Sequence, residues 1–262
     1  GDDSHRLREY LEDNVASDYR KLLNLGLNKS YIEDPEKLGK FISDLTSWFY
    51  AVLKASIHTE ILEGQSVPLS LGSLKPSCCF REVPFFMSCS GIFSYEKFNE
   101  IRMDFFETLT SKITGEFPEC NLIGKSDFTG FIKGTIDLVA RFSDRGKIYL
   151  LDYKTNYLGS SYENYNRAGL LASFFSSGYD VQTLLYTVAL HRYFKVADPG
   201  YLGDEESYNR MFGGAIYLYL RGMSQTRDDS GCCYGSLWLK PDFSLISRVD
   251  ALLDGNCDWE EK

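Results

Sequence analysis

The spacing of apolar residues predicts a helical start to the chain. Residues 5–24 are charged and amphipathic, and residues 35–53 carry an apolar position every three or four residues, which is typical of a helix packed on a core. Asp34 and Pro35 supply the N-cap and the first-turn proline of this second helix. The Gly, Ser and Pro content of residues 64–77 then predicts a loop.

The middle of the chain changes to a strand pattern. Residues 79–87 are predicted to be extended, and Pro84 within them indicates an edge strand or a bulge. Two further strands flank a tight-turn sequence at residues 143–146. The remaining predictions are strands at 131–142, 147–153 and 213–220, and helices at 94–112, 161–176, 179–195 and 241–253. The fold class is therefore α/β, with a central mixed β-sheet flanked by helices and the 131–153 hairpin at its centre.

Composition and charge limit the classes of function that the chain could have. The chain has 262 residues, of which 44% are hydrophobic, so one sizeable core is expected. The 28 Lys and Arg against 37 Asp and Glu give a net charge of −9, which excludes a protein that grips nucleic acid by bulk charge alone. Any nucleic-acid function must then come from local charge, metal ions or partner chains. The absence of a membrane-length apolar run and the odd cysteine count of 7 indicate a reduced, cytoplasmic protein with no membrane partner.

The predicted hairpin brings together groups with chemistry. Asp152 and Lys154 are two residues apart on a strand, so their side chains leave the same face. If the two strands fold about the middle of Asp144 and Arg145, Asp137 lies directly opposite Asp152, with Cβ atoms about 4.5–5.5 Å apart. A loop shifted by one residue would instead place a bulge here.

Two facing carboxylates repel each other unless a cation lies between them. An oxygen-rich site open to water suits Mg²⁺, which acidifies a bound water and polarises a phosphoryl oxygen. Lys154 beside it can orient the nucleophile or stabilise charge on the phosphate. This combination is the machinery of phosphodiester hydrolysis. A bare D-x-K pattern is common by chance, however, and an ordinary surface ion pair between Asp152 and Lys154 explains these residues equally well.

Four ordered segments resemble a known family. Together they are similar to the C-terminal nuclease domain of the RecB family, within the PD-(D/E)XK nuclease superfamily, and the similarity is clear over residues 124–223. The segments are Gly134-Thr-Ile-Asp137-Leu-Val, Tyr149-Leu-Leu-Asp152-Tyr-Lys154-Thr-Asn156, Tyr179-Asp-Val-Gln182-x-x-x-Tyr186 and Phe212-Gly-Gly-x-Ile-Tyr-Leu-x-Leu-Arg221-Gly222. The resemblance implies a restriction-endonuclease-like core.

The resemblance also implies roles for residues of the hairpin and of the helix that follows it. Asp137 and Asp152 match the metal-binding carboxylates, with the backbone carbonyl of Tyr153 as a further ligand, and Lys154 matches the catalytic lysine. Gln182 and Tyr186 match the family's Q-x-x-x-Y pair. Their i,i+4 spacing independently places both on one helix face. A polar seam in a mostly buried helix is the structural alternative for that pair.

Two more residues match family positions near the start of the chain. His5 and Glu9, one helical turn apart, fit an upstream G-x-x-x-H-x-x-x-E element whose histidine ligates the metal, although Ser4 stands where the family usually has an apolar residue. Glu82 resembles an extra acidic catalytic residue on the first strand of the sheet. A surface histidine at a helix end and an exposed edge-strand glutamate are the structural alternatives.

The resemblance thus implies a single nuclease domain over residues 1–262. Its parts are a helical region at about 1–63, a nuclease core at about 78–223 and a C-terminal strand and helix at about 231–262. The implied activity is Mg²⁺-dependent hydrolysis of DNA, with Mn²⁺ or Ca²⁺ as alternative occupants of the site. The implied partners are single strands of DNA fed by a helicase on the rest of a RecB-like chain, and RecC-like and RecD-like subunits of a heterotrimer. The alternatives are a non-catalytic module of the same fold, which docks subunits or guides DNA, and a restriction-type endonuclease.

Overall fold

The computed structural model describes residues 2–16, 18, 27–62, 65–111, 121–124, 126–143, 146–224, 226 and 233–256. The chain is divided into two compact units. The first comprises Gly1–Ala55 with Ser70–Gly72, and the second comprises Ser56–Leu69 with Ser73–Lys262. The expectation of one nuclease domain over the whole chain stays a prediction.

The first unit is helical, as its apolar spacing predicts. It contains α1 (Asp2–Leu11), a π-helical turn (Glu12–Ala16), the short α2 (Lys29–Ile32) and the long α3 (Pro35–Lys54). Asp34 caps α3 by accepting hydrogen bonds from the backbone N–H groups of Glu36 and Lys37, and the proline follows at the first position of the helix.

The second unit contains a five-stranded mixed sheet in the order β3-β4-β5-β6-β7. The strands are β3 (Cys79–Phe93), β4 (Phe128–Arg141), β5 (Ile148–Lys154), β6 (Phe212–Tyr219) and β7 (Ser236–Leu239). β5 and β6 run parallel and the other neighbours antiparallel. The predicted α/β class with a central mixed sheet is confirmed, and Pro84 lies on an edge strand, where its missing N–H is tolerated.

A separate two-stranded sheet corrects the loop predicted at residues 64–77. β1 (Ile57–Leu62) pairs antiparallel with β2 (Gln65–Leu69), and two single 3₁₀ turns, Leu71–Ser73 and Pro76–Cys78, complete this segment. The strand was missed because its Pro and Ser are usual loop residues, and only pairing with β1 satisfies its backbone.

Helices of the second unit pack on the large sheet. They are α4 (Tyr95–Thr110), α5 (Arg167–Ser176), α6 (Tyr179–Ala197), α7 (Glu205–Met211) and α8 (Phe243–Leu253), and a 3₁₀ turn (Tyr162–Tyr165) precedes α5. The core between helices and sheet includes Leu150, Phe174, Leu184 and Val188, each at most 3% exposed. Among the described residues, no helix has the length and apolar character needed to cross a membrane.

A buried ion pair fixes the start of α6. Arg102 on α4 donates from Nε to Asp180 Oδ2 at 2.7 Å, and the two side chains are 1% and 0% exposed. Its Nη1 also donates to Asn99 Oδ1 at 2.7 Å and to the carbonyl of Asn121 at 2.8 Å. Two buried charges are tolerated only when paired and hydrogen-bonded. The first turn of α6 is therefore held at one place beside the sheet.

We expect Arg102→Ala to lower the free energy of unfolding by about 3–5 kcal/mol, because Asp180 then stays buried without its guanidinium. The double variant Arg102→Met with Asp180→Leu should regain most of that loss, since an apolar pair of similar volume replaces both charges. Urea unfolding followed by tryptophan fluorescence measures both. Equal losses in the single and double variants would show that packing, and not charge pairing, holds the helix.

Candidate metal centre and lysine cluster

The β4–β5 pairing has the register predicted from the turn. Leu138 pairs with Leu151 and Arg141 with Ile148, so one further step along the ladder brings Asp137 opposite Asp152. The turn residues Asp144 and Arg145 lie outside the described residues. The predicted register is confirmed over four pairs of strand residues, and its extension places Asp137 opposite Asp152.

Where the β4–β5 pairing ends, the side chain of Asp137 accepts a hydrogen bond from the backbone of β5. Its Oδ2 accepts a hydrogen bond from the backbone N–H of Tyr153 at 3.1 Å. In an extended strand, the N–H and C=O of one residue point toward the same neighbouring strand. The carbonyl of Tyr153 is therefore expected on the Asp137 side of β5.

Asp152 is a buried carboxylate with two donors. It is 5% exposed, its Oδ2 lies 2.5 Å from Lys154 Nζ, and its Oδ1 accepts from Gln182 Nε2 at 2.8 Å. Burial raises the pKa of Asp152 above its ordinary value, and the charge of Asp137 raises it further, while Lys154 and Gln182 act in the opposite direction. The effect of burial on the pKa of Asp152 is therefore larger than the opposite effect of the neighbouring ammonium.

The side chain of Lys154 is surrounded by polar and aromatic groups. Its ammonium donates to Gln182 Oε1 at 2.9 Å and contacts Asp152, and its side chain is 11% exposed. Nζ also lies 3.8 Å from the ring centroid of Tyr179 and 5.3 Å from that of Tyr217. Two aromatic faces stabilise a cation that has lost water. This lysine has one defined position, unlike a lysine in a surface ion pair.

The helix α6 supplies the polar groups that bridge the cluster. Gln182 Nε2 donates to Asp152 and also to the hydroxyl of Tyr186, 2.8 Å away. The Tyr186 hydroxyl donates in turn to the carbonyl of Thr135 on β4 at 2.7 Å. Burial raises the pKa of Tyr186. The two residues predicted from i,i+4 spacing thus reach one point, and Gln182 contacts both members of the charged pair.

Two residues of the cluster were missed by the sequence analysis. Tyr179 and Tyr217 stack at 5.8 Å between ring centroids, with 18° between planes, and Thr183 donates to the Tyr217 hydroxyl at 2.8 Å. Tyr179 lies three residues before Gln182 on the same face of α6, a helical spacing that could have indicated it. Tyr217 pairs with Asp152 across parallel strands, which requires the strand order and not the sequence alone.

Glu82 lies on β3 at a break in the pairing with β4. Arg81 pairs with Leu138 and Val83 with Ile136, so the position facing Glu82 is that of Asp137. Glu82 is exposed, and its φ of 48° is in the left-handed region, which costs a glutamate about 1–3 kcal/mol. The register therefore places this acidic residue opposite Asp137. Its catalytic role stays a prediction.

His5 lies in the first unit, on α1. Its Nδ1 lies 3.4 Å from Glu9 Oε1, and its side chain is 72% exposed. Gly1, at the start of the matching element, lies outside the described residues. The role of His5 as a metal ligand stays a prediction.

The donors on β4 and β5 suit a hard cation. Among the described residues, no group of three or more His, Cys, Asp or Glu side chains lies close enough to hold one metal ion. The donors present are two carboxylates and one backbone carbonyl, all oxygen, which is the set that Mg²⁺ accepts while keeping several water ligands. The chemistry of these donors fits Mg²⁺ and not Zn²⁺, which prefers nitrogen and sulfur.

Comparison with known proteins assigns the family. The chain is 34% identical over 212 residues, 81% of its length, to "RecBCD enzyme subunit RecB" of Haemophilus influenzae. It is 30% identical over 233 residues, 87% of its length, to the protein of the same name from Escherichia coli. The chain belongs to the RecB family. No family model matches the chain.

The match is to a segment of much longer proteins. The chain covers 15% of the Haemophilus influenzae RecB and 18% of the Escherichia coli one. A RecB of Mycobacterium tuberculosis is 29% identical over 76% of the chain, and 19% of that protein is covered. The predicted resemblance to the RecB nuclease domain is confirmed.

The raised pKa of Asp152 predicts a pH effect on stability without metal. Below its ordinary pKa of 3.8 the carboxyl is protonated in both states, and between 3.8 and the higher folded value the folded chain alone holds the proton. The contribution of Asp152 to the unfolding free energy therefore falls as pH rises through that window.

We expect Asp152→Asn, which stays neutral, to gain stability relative to the parent chain as pH rises. Urea unfolding in EDTA from pH 4 to 8 measures the difference, and Asp44→Asn, at an exposed carboxylate, is the control. A difference between parent and Asp152→Asn that is constant over this range would contradict the burial of a charged Asp152.

Proposed function

We propose that this chain is the Mg²⁺-dependent deoxyribonuclease part of a RecB-like helicase–nuclease and hydrolyses DNA phosphodiester bonds in double-strand-break repair and recombination. The observation that carries the proposal is the convergence of Asp137, Asp152 and Lys154 at the end of β5. A surface ion pair needs neither the second carboxylate nor an enclosed lysine.

Each residue of the cluster has a role in the proposed reaction. Asp137, Asp152 and the carbonyl of Tyr153 would hold Mg²⁺, with His5 as a further ligand and Glu82 as an additional acidic residue. Such an ion supplies an acidified water and a polarised phosphoryl oxygen. The Lys154 ammonium orients the water or stabilises negative charge on the phosphate. The side-chain amide of Gln182 positions Lys154 and Asp152 relative to each other by bonding to both, and the hydroxyl of Tyr186 holds that amide in place.

The partners follow from the relatives and from the charge of the chain. We propose that RecC-like and RecD-like subunits and the helicase of a RecB-like chain deliver single strands to this domain in the cytoplasm. A net charge of −9 suits a domain that receives DNA from other parts of a complex. Its own affinity for duplex DNA should be weak and should fall steeply with salt.

Cleavage of end-labelled single-stranded DNA with Mg²⁺ tests the proposal. Asp152→Ala should lower the rate by at least about 100-fold and EDTA should abolish it, because the carboxylates hold the ion. Asp254→Ala, which removes an exposed partner of Arg192, should cleave like the parent chain.

Equal degradation by the parent chain and Asp152→Ala would identify a contaminant and refute the proposal. If the chain neither cleaves DNA nor binds Mg²⁺ in calorimetry, the non-catalytic module is correct. Circular single-stranded DNA separates the remaining cases, because cutting of circles indicates a restriction-type endonuclease.

Tyr179 offers a second test, through the position of Lys154. Tyr179→Leu should lower kcat about tenfold, because one aromatic face of the ammonium is lost. Tyr179→Phe keeps the ring and should retain most activity. Mg²⁺ affinity from calorimetry should be the same in all three chains, since the carboxylates are untouched. A parallel loss of Mg²⁺ affinity in Tyr179→Leu would show a general disturbance of the site.

A further inference from the structure

A polar cavity opens directly after the strand that carries Lys154. Its volume is about 700 Å³, and Asn156, Tyr157, Asn164 and Asn166 are among its lining residues. Tyr179 joins the cavity to the cluster: its ring covers Lys154 Nζ at 3.8 Å, and its hydroxyl donates to Asn156 Oδ1 at 3.0 Å. One tyrosine side chain therefore contacts both a lining residue of the cavity and the lysine that is proposed to act on the phosphate.

The three asparagines that line the cavity all use the side-chain oxygen in a hydrogen bond within the chain. Asn164 Oδ1 accepts from the backbone N–H of Ser161 at 3.2 Å, and Asn166 Oδ1 from that of Gly169 at 2.9 Å. A backbone N–H can only donate, so the atom it contacts must be the amide oxygen. The oxygen of Asn156 is engaged by Tyr179. In each case the protein uses the oxygen and leaves the NH₂ group as a donor.

The loop that supplies the three asparagines is anchored by a buried tyrosine. The hydroxyl of Tyr165, which is 2% exposed, accepts from the backbone N–H of Leu158 at 3.1 Å. Its ring packs on Gly222, where a Cβ would lie 2.1 Å from the ring. The loop between β5 and α5 is thus tied to the core by a buried aromatic residue.

We propose that this cavity binds the nucleobase of the nucleotide next to the scissile phosphate. This inference rests on the proposed function and specifies how that site holds its substrate. Neutral donors recognise the carbonyl oxygens and ring nitrogens that every base presents, so the site tolerates different sequences. A phosphate is disfavoured because the one charged lining residue, within these fully described segments, is Glu163. Tyr157, 67% exposed, offers a face for stacking.

Conversion of asparagine to aspartate removes the NH₂ donor and keeps the acceptor that the fold uses. The test variant is Asn156→Asp with Asn166→Asp. The matched control is Asn209→Asp on α7, whose Oδ1 accepts from Lys240. Binding is measured by fluorescence anisotropy in EDTA, with a labelled single-stranded oligonucleotide and a series in which one base at a time is replaced by an abasic sugar.

In the parent chain and in Asn209→Asp, removal of the base at one position should weaken binding about tenfold. In the double variant, the intact oligonucleotide should bind about tenfold more weakly, and the abasic position should have no further effect. The abasic series on the parent chain needs no variant, so the inference stays testable if the double variant does not fold.

Three results would overturn the proposal. The first is that no abasic position weakens binding, and the second is that the double variant binds the oligonucleotide like the parent chain. The third is that binding is weakened by a neutral methylphosphonate link at one position and by no abasic sugar. The last result would assign the cavity to a phosphate. If DNA is still cleaved with dependence on Asp152, only the cavity is refuted. A chain that neither binds nor cleaves single-stranded DNA refutes the proposed function as well.

Discussion

The contact between Asp152 and Lys154 is the constraint around which the second unit is organised. Both charges end an otherwise apolar strand, and both are largely removed from water. Such a pair is tolerated only if further hydrogen bonds satisfy it. Gln182 donates to the carboxylate and accepts from the ammonium, so the helix that carries it has one permitted position. The Arg102–Asp180 pair keeps the start of that helix in place.

This arrangement leaves the carboxylate available for a metal. A carboxylate has about four lone-pair sites on two oxygens, and Lys154 and Gln182 each take one of them. The cluster therefore holds Asp152 in a fixed orientation without using all of its capacity. A preorganised site of this kind loses little by reorganisation when charge develops on a substrate.

The segment after β5 is linked to the lysine cluster through Tyr179. Lys154, Thr155 and Asn156 are consecutive, and Tyr179 contacts both the lysine and the asparagine. A change in the position of Tyr179 would then be felt in the lysine cluster and in the polar cavity together. One helix, α6, thus couples the group proposed to act on the phosphate to the groups proposed to hold the base.

The sequence by itself predicted the β4–β5 hairpin, two alternative registers for it, and the shared helix face of Gln182 and Tyr186. Strand and helix periods and turn length are local properties, so the facing of Asp137 and Asp152 followed from counting residues across one turn. The family resemblance added candidate roles for Asp137, Asp152, Lys154, Gln182 and Tyr186.

Only the tertiary structure decided the rest. The partnership of Tyr217 with Asp152 depends on β6 lying parallel to β5, a pairing between residues more than 60 positions apart. The burial of Arg102 against Asp180 likewise joins two residues that are 78 positions apart. Local sequence patterns determine on which face of a strand or helix a side chain lies. The residues that contact this face are determined by the packing of elements that are remote in sequence.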